Sequence, residues 1–229
     1  MADHKTSVQE SLHTQMEAHG RVIANFAWQH MKAADTFRAQ VESLEQANLT
    51  NAFGPFFEDV RSYGSGCIMS AAASLEALIN EFFITPVGPL RKELADFENL
   101  FWGRGGIEWK PPLEKYQVAL KMLGHDRLDE SASVFRNTWA LLELRNALVH
   151  YKPTWDPDRQ RRVDMIEVLA GKYELSPFPD NGSNFVTMRS MSGVCMRWVI
   201  STPLTFMHEF HDRAKIDPHK MSAFWRIHA

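Results

Sequence analysis

The chain has 229 residues, 45% of them hydrophobic and 23% charged, with 15 Phe and 7 Trp, the balance of a globular protein with a sizeable core. A net charge of -3 gives no global basic signature of a protein that coats duplex nucleic acid, though it leaves room for a local basic pocket. Cys67 and Cys195 each sit in an apolar helical context and read as reduced, buried thiols, not as a disulfide framework. No apolar run approaches the roughly twenty residues of a membrane span, and Met1-Ala2-Asp3-His4-Lys5 leads into no signal-peptide core. These readings predict a cytoplasmic protein with no membrane partner.

Residues 7–47 form one long helical pattern in which Leu12, Met16, His19, Ile23, Phe26, His30, Ala34, Phe37, Val41 and Leu44 recur at threes and fours. A helix of that length spans about 60 Å, so it either breaks near Gly20 or projects and pairs. Residues 1–50 are therefore read as an N-terminal helical segment that packs on the rest or dimerises, and residues 51–229 as the main bundle. A connector over 48–55 leads to a helix from Phe56 to Phe83, with a possible irregularity at Gly64-Ser65-Gly66 and small residues at 70–74 that allow close helix approach. This should be the central helix.

A short helix is expected over Leu90–Asn99. The loop Trp102-Gly103-Arg104-Gly105-Gly106 lacks the lysine and strand–helix setting of a phosphate loop. Pro111-Pro112 opens a helix that Gly124 closes. A helix over Ser131–Tyr151 stops before Pro153. Asp156-Pro157 caps another that ends at Gly171. Residues 172–188 look irregular, with Asn181-Gly182 suited to a small hairpin turn. A last helix over Ser190–Arg213 carries Val194, Trp198, Ile200, Phe206 and Phe210, with a kink expected at Pro203. Phe224 and Trp225 ask for burial of the tail. Six or seven helices and almost no alternating pattern predict an all-α, up-and-down helical bundle.

The most informative stretch is Arg145-Asn146-Ala147-Leu148-Val149-His150, at the end of its helix. Phe135, Trp139, Leu142 and Val149 space out an apolar stripe, Asn146 falls on it, and Arg145 and His150 lie at its edges. Polar groups at a buried margin are costly unless paired, so they mark either a structural network or a site. A helix ending in Arg-Asn-x-x-x-His, preceded by Ala-Ala-Ala-Ser-Leu-Glu-Ala-Leu-Ile-Asn-Glu-Phe at residues 71–82, resembles the HEPN (higher eukaryotes and prokaryotes nucleotide-binding) superfamily. The resemblance covers roughly residues 56–213. It implies a bundle of four or five helices, commonly a homodimer, and in many members a metal-independent endoribonuclease acting as toxin, defence effector or RNA-processing factor. The long N-terminal segment departs from a minimal member.

The residues suit that chemistry. RNA cleavage without metal uses the adjacent 2′-OH as nucleophile. Histidine is the side chain suited to proton transfer near neutral pH, so His150 can act as general acid or base. Arg145 stays charged and matches phosphate oxygens. Asn146, one turn before His150, can orient the imidazole or donate to phosphate. Arg145 and His150 are about 140° apart on an ideal helix, so one chain cannot easily aim both at one phosphate, and a C2 homodimer with the site at its interface is expected.

Glu76 and Asn80 share a face and read either as support for Arg145, with Glu76 its counter-ion, or as a structural pair between helices. Tyr151 is a further supporting residue. Arg159, Arg161 and Arg162 are candidate RNA-backbone contacts or a solvated face. His208 and His211 lack zinc-protease spacing and read as a solvated face. No metal or cofactor is expected. Partners would be RNA and a cognate antitoxin or regulatory protein. The alternatives are a non-catalytic HEPN-like dimer that binds a nucleotide, RNA or protein, and a helical adaptor working through its N-terminal helix.

Overall fold

A computed structural model describes residues 26–84, 90, 97–152, 163–180 and 182–216. The elements are α1 (Phe26–Asn48), α2 (Phe56–Ile84), α3 (Phe97–Trp102), a 3-10 turn (Ile107–Trp109), α4 (Pro112–Met122), α5 (Ser133–Val149), α6 (Val163–Leu169), a π-helical turn (Phe185–Arg189) and α7 (Gly193–Ala214). Among the described residues every regular element is a helix and there is no strand, an all-α architecture. The hairpin expected at Asn181-Gly182 lies partly outside the described residues, and among those described from Gly182 on there is no strand to form one. Asn184 instead accepts from the Thr187 amide and starts the π turn, and Ser176 N–H donates across to Arg189 O at 2.8 Å. The expected capping by Asp156-Pro157 and the tail after Ile216 lie outside the described residues, as does the first half of the long N-terminal pattern.

α2 is the central element and packs against α1, α4, α5 and α7. α1 and α2 run antiparallel: Ala27 N–H donates to Glu81 Oε1 at 3.1 Å, Ser74 Oγ meets Met31 Sδ at 3.1 Å, and the Phe37 ring lies 6.3 Å from that of Tyr63. α1 contributes Ala27, Met31, Ala34 and Val41 to the same apolar core as the other helices. α2 and α7 run parallel, since Gly64 faces Met196 near one end and Phe82 stacks edge-on with Phe210 at the other. Two helix starts borrow acids from neighbours. Glu81 of α2 caps α1, and Glu45 Oε2 of α1 accepts from Gly193 N–H at 2.8 Å beside the local cap Ser192. Burial pushes both the Glu45 and the Glu81 carboxyl upward, partly offset by these amide bonds.

The irregularity anticipated at Gly64-Ser65-Gly66 is not there; α2 is continuous. Those glycines are packing slots. A Cβ on Gly66 would sit 2.9 Å from the Phe37 ring, and one on Gly64 would meet Met191 Sδ at 2.6 Å. α7 likewise continues through Pro203, which has no N–H to return to Val199. The glycine-rich loop after α3 is structural: a Cβ on Gly106 would come within 2.6 to 2.8 Å of the carbonyl oxygens of Leu100, Phe101 and Gly103.

Contrary to the expectation of no apolar run of spanning length, α2 is long and apolar enough to cross a membrane by length and composition. More than half of its most apolar window is buried against the other helices, as in the core helix of a bundle.

An alanine in a helix interior normally gains stability over glycine by up to about 1 kcal/mol. Gly66→Ala should instead lose about 1–3 kcal/mol in urea unfolding, through overpacking on Phe37. In a Phe37→Ala background the same substitution should become neutral or stabilising.

Candidate functional site

α5 carries the Arg145–His150 stretch, and its surroundings decide what those side chains can do. Asp129 accepts the Ser131 hydroxyl and amide just before the helix, which lowers its carboxyl pKa. The helix closes at His150, whose backbone N–H returns to Asn146 O at 3.0 Å. α5 touches α2, α6 and α7, so it is buried around most of its circumference, with Thr138, Ala140, Leu141, Leu142, Leu144 and Ala147 inside.

That burial corrects the expected stripe. Leu142 is buried, Phe135 and Trp139 are half-buried, and Val149 is 47% exposed. Sequence spacing marked the aromatic edge of the buried arc as its centre. Arg145 projects about 40° from Leu141 and about 60° from Leu142 on the helical wheel, between two core residues. Asn146 lies outside Leu142, on the margin. The expected roles of centre and edge are thus exchanged.

Arg145 turns toward α2, where its Nη2 stands 4.0 Å from Glu76 Oε2. That is an ion-pair distance and too long for a hydrogen bond. The other Glu76 oxygen accepts from Lys115 Nζ of α4 at 3.3 Å, and Lys115 also donates to Asn80 Oδ1 at 2.9 Å. The Lys115 side chain is 1% exposed, against 41% for Glu76 and 27% for Arg145. A buried ammonium needs such partners. One carboxylate therefore serves two cations, and the positive surplus falls at Arg145, the more exposed of the two. Next to the network, Tyr116 Oη donates to Leu75 O at 2.8 Å, and burial raises the phenol well above its ordinary pKa.

Lys115 is the residue that sequence reasoning missed. Its signal was present: it shares the stripe of Tyr116, Ala119 and Leu120 at helical spacing, so a charge stands on an apolar face.

Asn146 Nδ2 donates to Glu143 Oε1 at 3.1 Å within its own helix, so in one protomer it is turned to Glu143 and not to His150. His150 and Tyr151 are exposed at the helix end. Arg145 thus points into the bundle and His150 into solvent; the structure does not bring them together in one chain. Arg159, Arg161 and Arg162 lie outside the described residues. Beside the helix end, a cavity of about 390 Å³ is lined by Glu58, Arg61, Ser62 and Ser65 of α2, Leu148 in the last turn of α5, Tyr151 just after it, and Thr187 of the π turn.

His211 is not on a solvated face, as expected from sequence; it is fully buried, packed 5.6 Å from the Phe210 ring, while His208 is exposed. Among the described residues no group of three His, Cys, Asp or Glu is placed to hold a metal. Cys67 and Cys195 are free and buried. Burial raises both thiols, Cys195 to about 12, which keeps them protonated and unreactive near neutrality.

No family model, curated protein or solved structure matches this chain.

Glu76→Ala strands the Lys115 ammonium with only an amide partner and should cost about 3 kcal/mol. Lys115→Met leaves Glu76 able to reach water, and Lys115→Met/Glu76→Gln should recover most of the loss. Arg145→Ala, half-solvated, should cost under about 1 kcal/mol. Chemical denaturation of the four variants checks this order.

Burial holds the His211 imidazole down to about 4, from 6.5. The unfolded chain therefore binds the extra proton between those values, and stability falls as pH drops from about 6.5 to about 4. The contribution is about 3 kcal/mol at most. The stability difference between wild type and His211→Gln, followed by urea unfolding across that range, should shrink as pH falls.

Proposed function

We propose that the chain is an HEPN-like protein working as a metal-independent endoribonuclease. Arg145, Asn146 and His150 would line a cleft between two protomers, in a defence, toxin–antitoxin or stress-response setting. The observation that carries the proposal is the outcome of sharing one carboxylate. Glu76 divides its carboxylate between buried Lys115 at 3.3 Å and Arg145 at 4.0 Å, so Arg145 is only partly neutralised on the same helix whose end exposes His150. A cation and a proton carrier are the two groups that transesterification at phosphate requires. The exposed side chain of Val149 at that helix end suits coverage by a second copy.

In this reading the ribose 2′-oxygen attacks the adjacent phosphorus as it loses its proton to one imidazole. The P–O5′ bond breaks as the leaving oxygen gains a proton, giving a 2′,3′-cyclic phosphate and a 5′-hydroxyl. Arg145 of one protomer stabilises the charge on the phosphorane, and His150 of the other handles the proton. Asn146 leaves Glu143 to orient that imidazole or bind a phosphate oxygen.

The alternative, a non-catalytic HEPN-like dimer that binds a nucleotide, RNA or protein, is favoured by one fact: Arg145 is already engaged by Glu76 inside its own chain.

Cleavage of single-stranded RNA in excess EDTA tests the proposal. Wild type should cut and leave cyclic phosphate ends, while Arg145→Ala and His150→Ala should each lose at least about a hundredfold. A wild type that cuts nothing, or mutants that cut as well as wild type, would overturn the enzymatic reading. A dimer without cleavage would point to the alternative.

A further inference from the structure

The cavity beside the helix end is not used by the cleavage chemistry, and its lining is specific. Tyr151, 45% exposed, and Leu148 provide an apolar wall. Ser62, Ser65 and Thr187 provide hydroxyls, Arg61 a guanidinium and Glu58 a carboxylate. Arg61 and Glu58 are 3.9 Å apart, one helical turn from each other, too far to be hydrogen-bonded and so available to a ligand. Thr187 is delivered by a π-helical turn, a conformation that recurs at functional sites. At about 390 Å³ the space falls at the lower end of small-ligand pockets.

We infer that this cavity is the subsite for one ribonucleotide of a single-stranded RNA, next to the phosphate handled by His150. The inference rests on the proposed function and names its substrate contacts. The Tyr151 ring stacks on the base, the sequence-tolerant contact of single-strand binders. Arg61 holds the neighbouring phosphate. The hydroxyls and the Glu58 carboxylate meet the ribose 2′-OH and the polar base edge, where Glu58 can only accept. His150 directly precedes Tyr151, so a base stacked there carries its phosphate past the imidazole. Because Glu58 balances Arg61, binding here depends on fit more than on net charge.

The test measures fluorescence anisotropy of a labelled RNA hexamer with full-length His150→Ala, which is predicted to bind without cutting. Tyr151→Ala and Arg61→Ala in that background should each weaken binding roughly tenfold. Tyr151→Phe should restore it. Arg61→Ala should also flatten the salt dependence by about 0.7 in log–log slope. A matching DNA hexamer should bind more weakly than the RNA. Unchanged RNA affinity in both pocket variants overturns the subsite while leaving the cleavage reading standing. Pocket-dependent RNA binding by a wild type that cuts nothing overturns the cleavage reading and keeps the subsite. Uridine monophosphate alone binding as tightly as the hexamer overturns the assignment to RNA and makes the cavity a free-nucleotide site.

Discussion

The ammonium of Lys115 is shut away from water between α2 and α4, and the fold around the candidate site follows from how it is satisfied. Asn80 and Glu76 must face it, one helical turn apart on α2, which sets the register of the two helices. Once Glu76 is drawn toward Lys115, it can only loosely hold Arg145 on α5. A buried structural charge thus sets the balance at a more exposed guanidinium. Removing Lys115 would free the whole carboxylate for Arg145, so the same pair that holds the helices together also governs how much cation is left at the surface.

Much of this bundle is legible in the sequence, for identifiable reasons. α2 announces itself through its small residues and apolar period, and its central place follows because glycine, alanine and serine permit close approach on several sides. Cys67 and Cys195 are buried and unpaired as their apolar settings suggest. α5 is where periodicity misled. A helix packed on three neighbours buries most of its surface, so Phe135, Trp139 and Val149 no longer identify its inner face, and Arg145 proves to lie among core residues. Local propensity missed three other features. The turn at Phe185–Arg189 depends on the Asn184 cap. The Gly64 and Gly66 slots are explained only by Met191 and Phe37 across the interface. His211 is buried because α7 presents that face to the core. The glycine slots and the burial of His211 depend on contacts distant in sequence, which periodicity does not report, and the Asn184 cap is a single side-chain bond that leaves no periodic trace.

The geometry of one protomer bears on how the proposed enzyme would be assembled. Arg145 faces inward toward Glu76 and His150 outward at a helix end, with Asn146 engaged by Glu143 between them. A phosphate reached by His150 of one chain is therefore a poor target for Arg145 of the same chain. A two-fold partner placing its own α5 end across the gap would give each phosphate a cation from one side and a proton carrier from the other. The exposed Val149 would then be partly covered, and Tyr151 with the cavity beside it would open onto the cleft.

The proposed two-chain site is tested most directly by mixing protomers. Arg145→Ala and His150→Ala are each expected to be inactive alone. Allowed to exchange subunits, half of the dimers become heterodimers, and each of those regains one intact site from its two wild-type residues. RNA cleavage should return to about a quarter of the wild-type rate in a one-to-one mixture. A mixture that stays as inactive as its components, from proteins shown to exchange, would contradict a site shared between chains.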